Sequence, residues 1–238
     1  MTLTASSPNL DSTVRLYNYA TMQEEPQSKI TPFPTLTWAK RLQAIAQTGL
    51  TYAKDQYDIE RYQAVRQIAS EMMSTCSTAL SSGQLVDIFK CEVGYATPKI
   101  DVRAAVFSQD TLLLVKERSD GTWTLPGGWA DVGDSPSVSA VRETKEESGY
   151  DVIARKLAAV YDRDHERHGH PPMAYHVYKL FFMCEPVGGS AKPSIETEQV
   201  GFFKENHLPK LSVARVTGEQ IAHLFGHYRH PEWPTSFD

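Results

Sequence analysis

Cysteine is scarce in this 238-residue chain, and the three present, Cys76, Cys91 and Cys184, are odd in number and far apart. Without paired spacing they offer neither a disulfide framework nor a zinc knuckle, and they read as reduced thiols in a reducing compartment. No apolar run approaches the roughly 18 residues that a bilayer-spanning helix needs, and no basic segment followed by an apolar one opens the chain. The expected location is the cytoplasm. Positive charge is not in excess: 24 Lys and Arg stand against 29 Asp and Glu, for a formal net charge of -5. That balance gives no broad electrostatic footprint for nucleic acid or an anionic membrane, and neither partner is expected. Nor does any Ser or Cys sit in a recognisable nucleophile motif, so an oxygen that attacks a substrate is expected to come from solvent.

What is present is apolar material for one sizeable core or two modest ones, 41% of residues. Residues 1–34 mix Ser, Thr, Pro and Gln without periodicity and read as a flexible tail. Residues 35–97 are helical in pattern: Trp38, Leu42 and Ile45 mark one apolar stripe and Ile59, Tyr62, Val65, Ala69 and Met72 a second. A shorter third helix holds Leu85, Ile88 and Phe89. Residues 98–238 form a second domain, in which "VRAAVF" and "TLLLVKE" read as a hairpin joined by Ser108-Gln109-Asp110. Further strands are expected at "DVIARKLAAVYD", "YHVYKLFFMCE" and "EQVGFF", with helices at 136–148 and 217–228. The order implies an α/β (α+β) fold, a mixed sheet flanked by helices and preceded by a small all-helical domain.

The stretch "LPGGWADVGDSPSVSAVRETKEESGY", from Leu125 to Tyr150, carries the chemistry. Ser135 and Pro136 start a helix and Gly149 stops it. At 100° per residue Glu143, Glu146 and Glu147 share one side, while Val138, Val141 and Thr144 are expected on the packing side. Three crowded carboxylates belong either to a solvated face or to a cation. The glycine pair Gly127-Gly128 lies where a tight loop can bring a backbone carbonyl beside them, and hard oxygen ligands are what Mg²⁺ accepts. Arg142 can neutralise or orient a neighbouring acid.

This stretch resembles the signature of the Nudix hydrolases, G-x5-E-x7-R-E-U-x-E-E-x-G-U with U apolar. Gly128, Arg142, Glu143, Glu146, Glu147 and Gly149 fall in register. Asp134 stands where the pattern has Glu, Thr144 where it has an apolar residue, and Tyr150 is only partly apolar. Asp134 keeps the charge at shorter reach, which suits an outer position or a water-bridged contact to metal. The segment from Trp38 to Ala69 resembles the N-terminal helical extension of a bacterial Nudix subgroup that includes CDP-choline pyrophosphatases, and the likeness spans about residues 36–215.

The resemblance implies a Nudix-type mixed sheet sandwiched between helices. It also implies Mg²⁺-dependent hydrolysis, with Mn²⁺ as the alternative ion, of nucleoside diphosphates linked to a second moiety X, such as CDP-choline, ADP-ribose or nucleotide sugars. The products would be NMP and phosphoryl-X. Glu143, Glu146 and Arg142 are the expected catalytic residues; Glu143, Glu146, Glu147, Gly127 and Glu196 are the expected metal site, with Glu198 competing for the last place. Arg163, Arg167 and His170, on the loop that also bears His165 and His168, are expected to bind substrate, as is Trp129. The alternative is a binding module on the same fold that senses a nucleotide derivative without cleaving it, against which the retained acids argue. A homodimer through the helical domain, with Tyr52, Tyr57 and Tyr62 as interface aromatics, is expected.

Overall fold

A computed structural model describes residues 34–76 and 79–238. The expected tail, residues 1–34, lies outside the described residues except for Pro34, which opens the first helix. Helices α1 (Pro34–Tyr52), α2 (Gln56–Ser74) and α3 (Ser82–Cys91) come first. Asp55 caps α2 by accepting from the Tyr57 and Asp58 amides, and Ser81 and Gln84 form a capping box on α3. Their shared core is Leu36, Ala39, Met73, Cys76, Leu85 and Phe89. Of the apolar stripe expected on α1, Leu42 is half-buried, and the other two members are turned outward. Trp38 and Ile45 are each 56% exposed, whereas Leu36, Ala39, Gln43 and Ala46 face in. Ala39 and Ala46 on the inner face let α1 approach α2 closely, while Trp38 and Ile45 remain on the surface.

The second part begins with β1 (Lys99–Ser108) and β2 (Thr111–Glu117), antiparallel around Gln109-Asp110. Both turn residues have positive φ, 48° and 59°, the conformation of a tight two-residue hairpin. Then follow β3 (Trp123–Thr124), α4 (Pro136–Ser148), β4 (Tyr150–Asp162), β5 (Val177–Gly189), β6 (Thr197–Phe203), α5 (Gly218–Arg229) and β7 (Ser236–Phe237). The sheet order is β3-β2-β1-β5-β4-β7, with β6 also paired to β2; β1–β5 and β4–β7 are parallel and the other pairs antiparallel.

Alternation along β1 divides the interior. Val102, Ala104 and Val106 join Leu113, Ala140, Val152 and Phe182 beneath α4, while Ala105 and Phe107 join Phe181, Ile221, Leu224 and Phe225 beneath α5. Each fully buried Leu, Val or Phe in these layers stabilises the fold by about 1.5–3 kcal/mol. The sheet is therefore sandwiched between α4 and α5.

One irregularity positions the site. β1 and β2 stay paired for two residues only, after which β2 leaves to run beside β6. The freed edge of β1 takes up the chain before α4 instead: Val102 N donates to Gly128 O at 2.8 Å, Ala104 N to Pro126 O at 2.9 Å, and Ile100 O accepts from Ala130 N at 3.0 Å. The glycine pair is thus strapped to the central strand. The segment before β5 is anchored elsewhere, since Ala174 and Tyr175 pack into the helical core and Lys40 of α1 bonds both Asp164 and the Tyr175 carbonyl.

Candidate active site

Helix α4 has the ends its sequence calls for. Ser135 Oγ accepts from the Val138 amide, Pro136 occupies the first turn, and Gly149, at φ 80°, closes the helix with its amide on Lys145 O. Its orientation differs from the expectation. The inner stripe is Ser139, Ala140, Thr144, Glu147 and Ser148, and Val138 is exposed. Val141 packs partly against the core, as expected. Thr144 is fully buried and donates its hydroxyl to Ala140 O at 2.7 Å, which is how a hydroxyl is tolerated at an apolar position.

The three glutamates consequently do three different things. Glu147 is 6% exposed, and its Oε2 accepts from the Gly127 amide at 3.0 Å. Thr197 at the start of β6 donates to the Glu147 carbonyl at 2.7 Å, fixing the last turn from the other side. Burial pushes the Glu147 carboxyl up to about 8, with Glu117 and Glu143 adding to the rise against the pull of Arg103 and the Gly127 amide. Glu143 stands at the rim, its carboxylate against Gly128, and burial also raises it. Glu146 points to solvent.

Arg142 ties the rim together. Its guanidinium reaches Glu143 and Glu146 at 3.0 Å through Nη1, Asp131 at 2.8 Å through Nη2 and Asp134 at 3.1 Å through Nε. Asp134 is therefore an Arg142 partner, and its shorter side chain suffices because the arginine comes to meet it.

Several charged residues of this region were not singled out in the sequence. Glu117 ends β2 and feels Glu196, while Glu147 feels Glu117 and Glu143 feels Glu196. Glu196 is exposed but close enough to raise both neighbours, and Arg118 N donates to its carbonyl at 2.9 Å. Glu198 turns away to Lys116 at 2.7 Å. Beneath them Arg103, Lys179 and Asp101 form a buried network: Asp101 receives Arg103 Nε and Nη2 at 2.9 and 2.8 Å and Lys179 Nζ at 2.7 Å. Burial works against the Asp101 charge, but these two cations overcome it and hold the carboxyl at about 2. Charged residues inside the otherwise apolar strands "KIDVRAAVFS" and "YKLFFMCE" were the available signal.

The expected substrate residues are dispersed. Trp129 is half exposed and bridges to Asp101 on the β1 edge. Arg163 is buried, with Nη2 on Ala214 O and Nη1 without a hydrogen-bond partner. Arg167 pairs with Asp238 at 2.7 Å and lies over Tyr161. Both ring nitrogens of His170 are taken, Nδ1 by Val213 O and Nε2 by Gln220, and burial depresses its pKa to about 4. His168 is buried against Asp238 and Tyr161 with its ring 5.8 Å from that of His165, and His165 receives the Arg167 amide, so each of the three histidines has a partner of its own.

The donor set around Gly127 fits a hard divalent cation. Its side-chain donors are all oxygen, the Glu147 carboxylate on the Gly127 amide and the Glu143 carboxylate beside Gly128. Burial penalises the anionic Glu147 by more than Arg103 and the Gly127 amide offset, and a bound cation would supply the remaining compensation.

The family profile described as a NUDIX domain matches residues 97–224, and that described as a UDP-X-like, N-terminal oligomerisation domain matches residues 34–82. Bacillus subtilis (strain 168) YjhB, provisionally named an ADP-ribose pyrophosphatase, is 45% identical over 200 residues, covering 84% of this chain and 95% of that protein. A crystal structure of a UDP-X diphosphatase superposes with a TM-score of 0.56 at 32% identity, covering 86% of this chain and 98% of the other. One of an ADP-ribose pyrophosphatase from Streptococcus suis gives 0.54 at 43% identity, covering 60% and 100%.

Proposed function

The chain belongs to the Nudix hydrolase family, and on that premise we propose that it hydrolyses the diphosphate bond of nucleoside diphosphates linked to a second moiety, giving NMP and phosphoryl-X with Mg²⁺, or Mn²⁺ in its place. ADP-ribose is the first substrate to test, since it is named for YjhB and for the Streptococcus suis enzyme; nucleotide sugars and CDP-choline follow.

The observation that carries the proposal is the seating of Glu147. A solvated acidic face would leave all three glutamates in water, whereas here one is buried, fixed by the Gly127 amide and set beside Glu143. Glu143, Glu147 and the Gly127 carbonyl would hold the cation, with Glu146 and Glu196 at its border. A bound divalent ion neutralises phosphate oxygens and acidifies water. Arg142 keeps Glu143 and Glu146 in place and prevents mutual repulsion from splaying them. Glu143, half-buried with a raised proton affinity, is the group best suited to accept a proton from the attacking water. The Asp101–Arg103–Lys179 network braces β1 beneath the glycine pair, and Arg103 contributes positive potential at Glu147. Arg163, Arg167, His170 and Trp129 are the candidates for the nucleotide.

The oligomeric part of the proposal is a homodimer through the helical domain. The description of the matched profile and the exposed Trp38, Ile45, Tyr52 and Tyr57 support it. Free Cys76, Cys91 and Cys184 suit a cytoplasmic setting, and no helix among the described residues is long and apolar enough to cross a membrane. Specificity constants for ADP-ribose, UDP-sugars, CDP-choline and dinucleotides, each with Mg²⁺ and with chelator, test the reading. Turnover of at least one diphosphate-linked substrate, abolished by chelator, is expected; no metal-dependent turnover of any would refute it.

A further inference from the structure

The geometry points to Glu117 as a further ligand of the divalent cation, completing a ring of acids with Glu143, Glu147 and Glu196. The inference rests on the metal-dependent reading above and adds to it a residue outside the signature stretch.

Three features carry it. The first is aim. β2 pairs with β6 in register up to Lys116↔Gln199, then a bulge intervenes and Glu117 stands opposite Thr197, so that Glu198 is the extra residue. A bulge redirects side chains at a strand end. Here Glu198 is sent outward to Lys116, and Glu117 lies against Thr197, whose hydroxyl holds the last turn of α4 through the Glu147 carbonyl.

The second is an incomplete set of partners. Glu117 is 8% exposed, yet among the described residues its carboxylate accepts no hydrogen bond. The nearest cation is Arg215, with Nε at 3.4 Å from Oε1 and with Nη1 and Nη2 already donating to Asp120, Ser212 and Ser119. A buried carboxylate with one loose ion pair is costly, and a cation entering on its free side removes that cost.

The third is neighbourhood. Glu117 interacts with Glu147 and with Glu196, and Glu143 interacts with the same two acids. Acids from β2, from α4 and from the residue before β6 are thus electrostatic neighbours, although Glu147 lies 30 positions (147 − 117) and Glu196 79 positions (196 − 117) along the chain from Glu117.

Mn²⁺ binding to the full chain without substrate tests the assignment, read by the loss of free-ion EPR signal and by calorimetry. Glu117→Gln preserves volume and can still accept from Arg215; it is expected to weaken Mn²⁺ binding about tenfold or more. Glu117→Asp should give an intermediate affinity. Arg215→Gln should tighten binding, because the guanidinium competes with the ion for Glu117, and this variant decides the matter should the Gln variant fail to fold. The exposed Glu185→Gln serves as control. Wild-type affinity and stoichiometry in both Glu117→Gln and Arg215→Gln, alongside loss in Glu147→Gln, would overturn the assignment and leave Glu117 as a partner of Arg215. Unchanged binding in Glu147→Gln as well would instead refute the cation reading of α4.

Discussion

The Gly127 amide and the Glu147 carboxylate meet at 3.0 Å across 20 residues of chain, so the glycine loop and the last turn of α4 form one unit. Gly127 has φ 135°, and a Cβ there would lie 2.1 Å from the Val102 carbonyl oxygen, within the strap that ties the loop to β1. Gly127→Ala is expected to cost about 2–4 kcal/mol and to abolish activity. Gly133→Ala, at φ 102° with open space around it, should cost about 1–2 kcal/mol. Chemical denaturation of both variants checks the difference.

Glu147 should also leave a pH signature. Its folded pKa, about 8, lies above the ordinary Glu value, so the folded state holds a proton that the unfolded state has already released between about 4.5 and 8. Stability of the metal-free chain therefore falls as pH rises through that window. Glu147→Gln removes this contribution. At pH 8 in chelator the variant should be more stable than the parent by on the order of 2 kcal/mol, with the gap vanishing toward pH 4.5. A gap that is constant with pH would contradict the assignment.

Asp134 acts through Arg142. Asp134→Ala should lower kcat about tenfold while leaving Mn²⁺ affinity near the parent value, because the arginine loses one of its four carboxylate anchors and the ligands stay. Asp134→Glu restores the signature acid and should turn over at an unchanged or modestly higher rate. Collapse of activity in Asp134→Glu would mean that the length of this acid is itself required.

The sequence made the start and end of α4 legible because Ser135, Pro136 and Gly149 act locally, through an N-cap, a fixed φ and a left-handed C-cap. It did not make the rotation of the helix legible. Periodicity groups Glu143 with Glu147 but is silent on which of them goes inside, and that choice is made by Gly127 and Thr197, distant in the chain. On α1 the apolar rule pointed Trp38 and Ile45 inward, whereas close packing selected Ala39 and Ala46. The pairing of Lys179 with Asp101 spans 78 positions and leaves no local trace in the sequence.

The outward side chains of α1 make the proposed dimer interface testable by itself. Trp38→Glu combined with Ile45→Glu introduces charge at two side chains that are each 56% exposed, so intrinsic stability should change by less than about 1 kcal/mol. Sedimentation velocity should show the dimer replaced by monomer. A persistent dimer would place the interface elsewhere.

The central claim is that the acids of α4 and its glycine loop serve hydrolysis of a diphosphate bond. It is tested most directly by incubating the protein with Mg²⁺ and ADP-ribose in ¹⁸O-labelled water and weighing the products of the parent and of Glu147→Gln. The account predicts AMP and ribose phosphate, a single label in one of the two, and a rate lower by orders of magnitude in the variant. Release of ADP with free ribose, or an undiminished rate in Glu147→Gln, would contradict it.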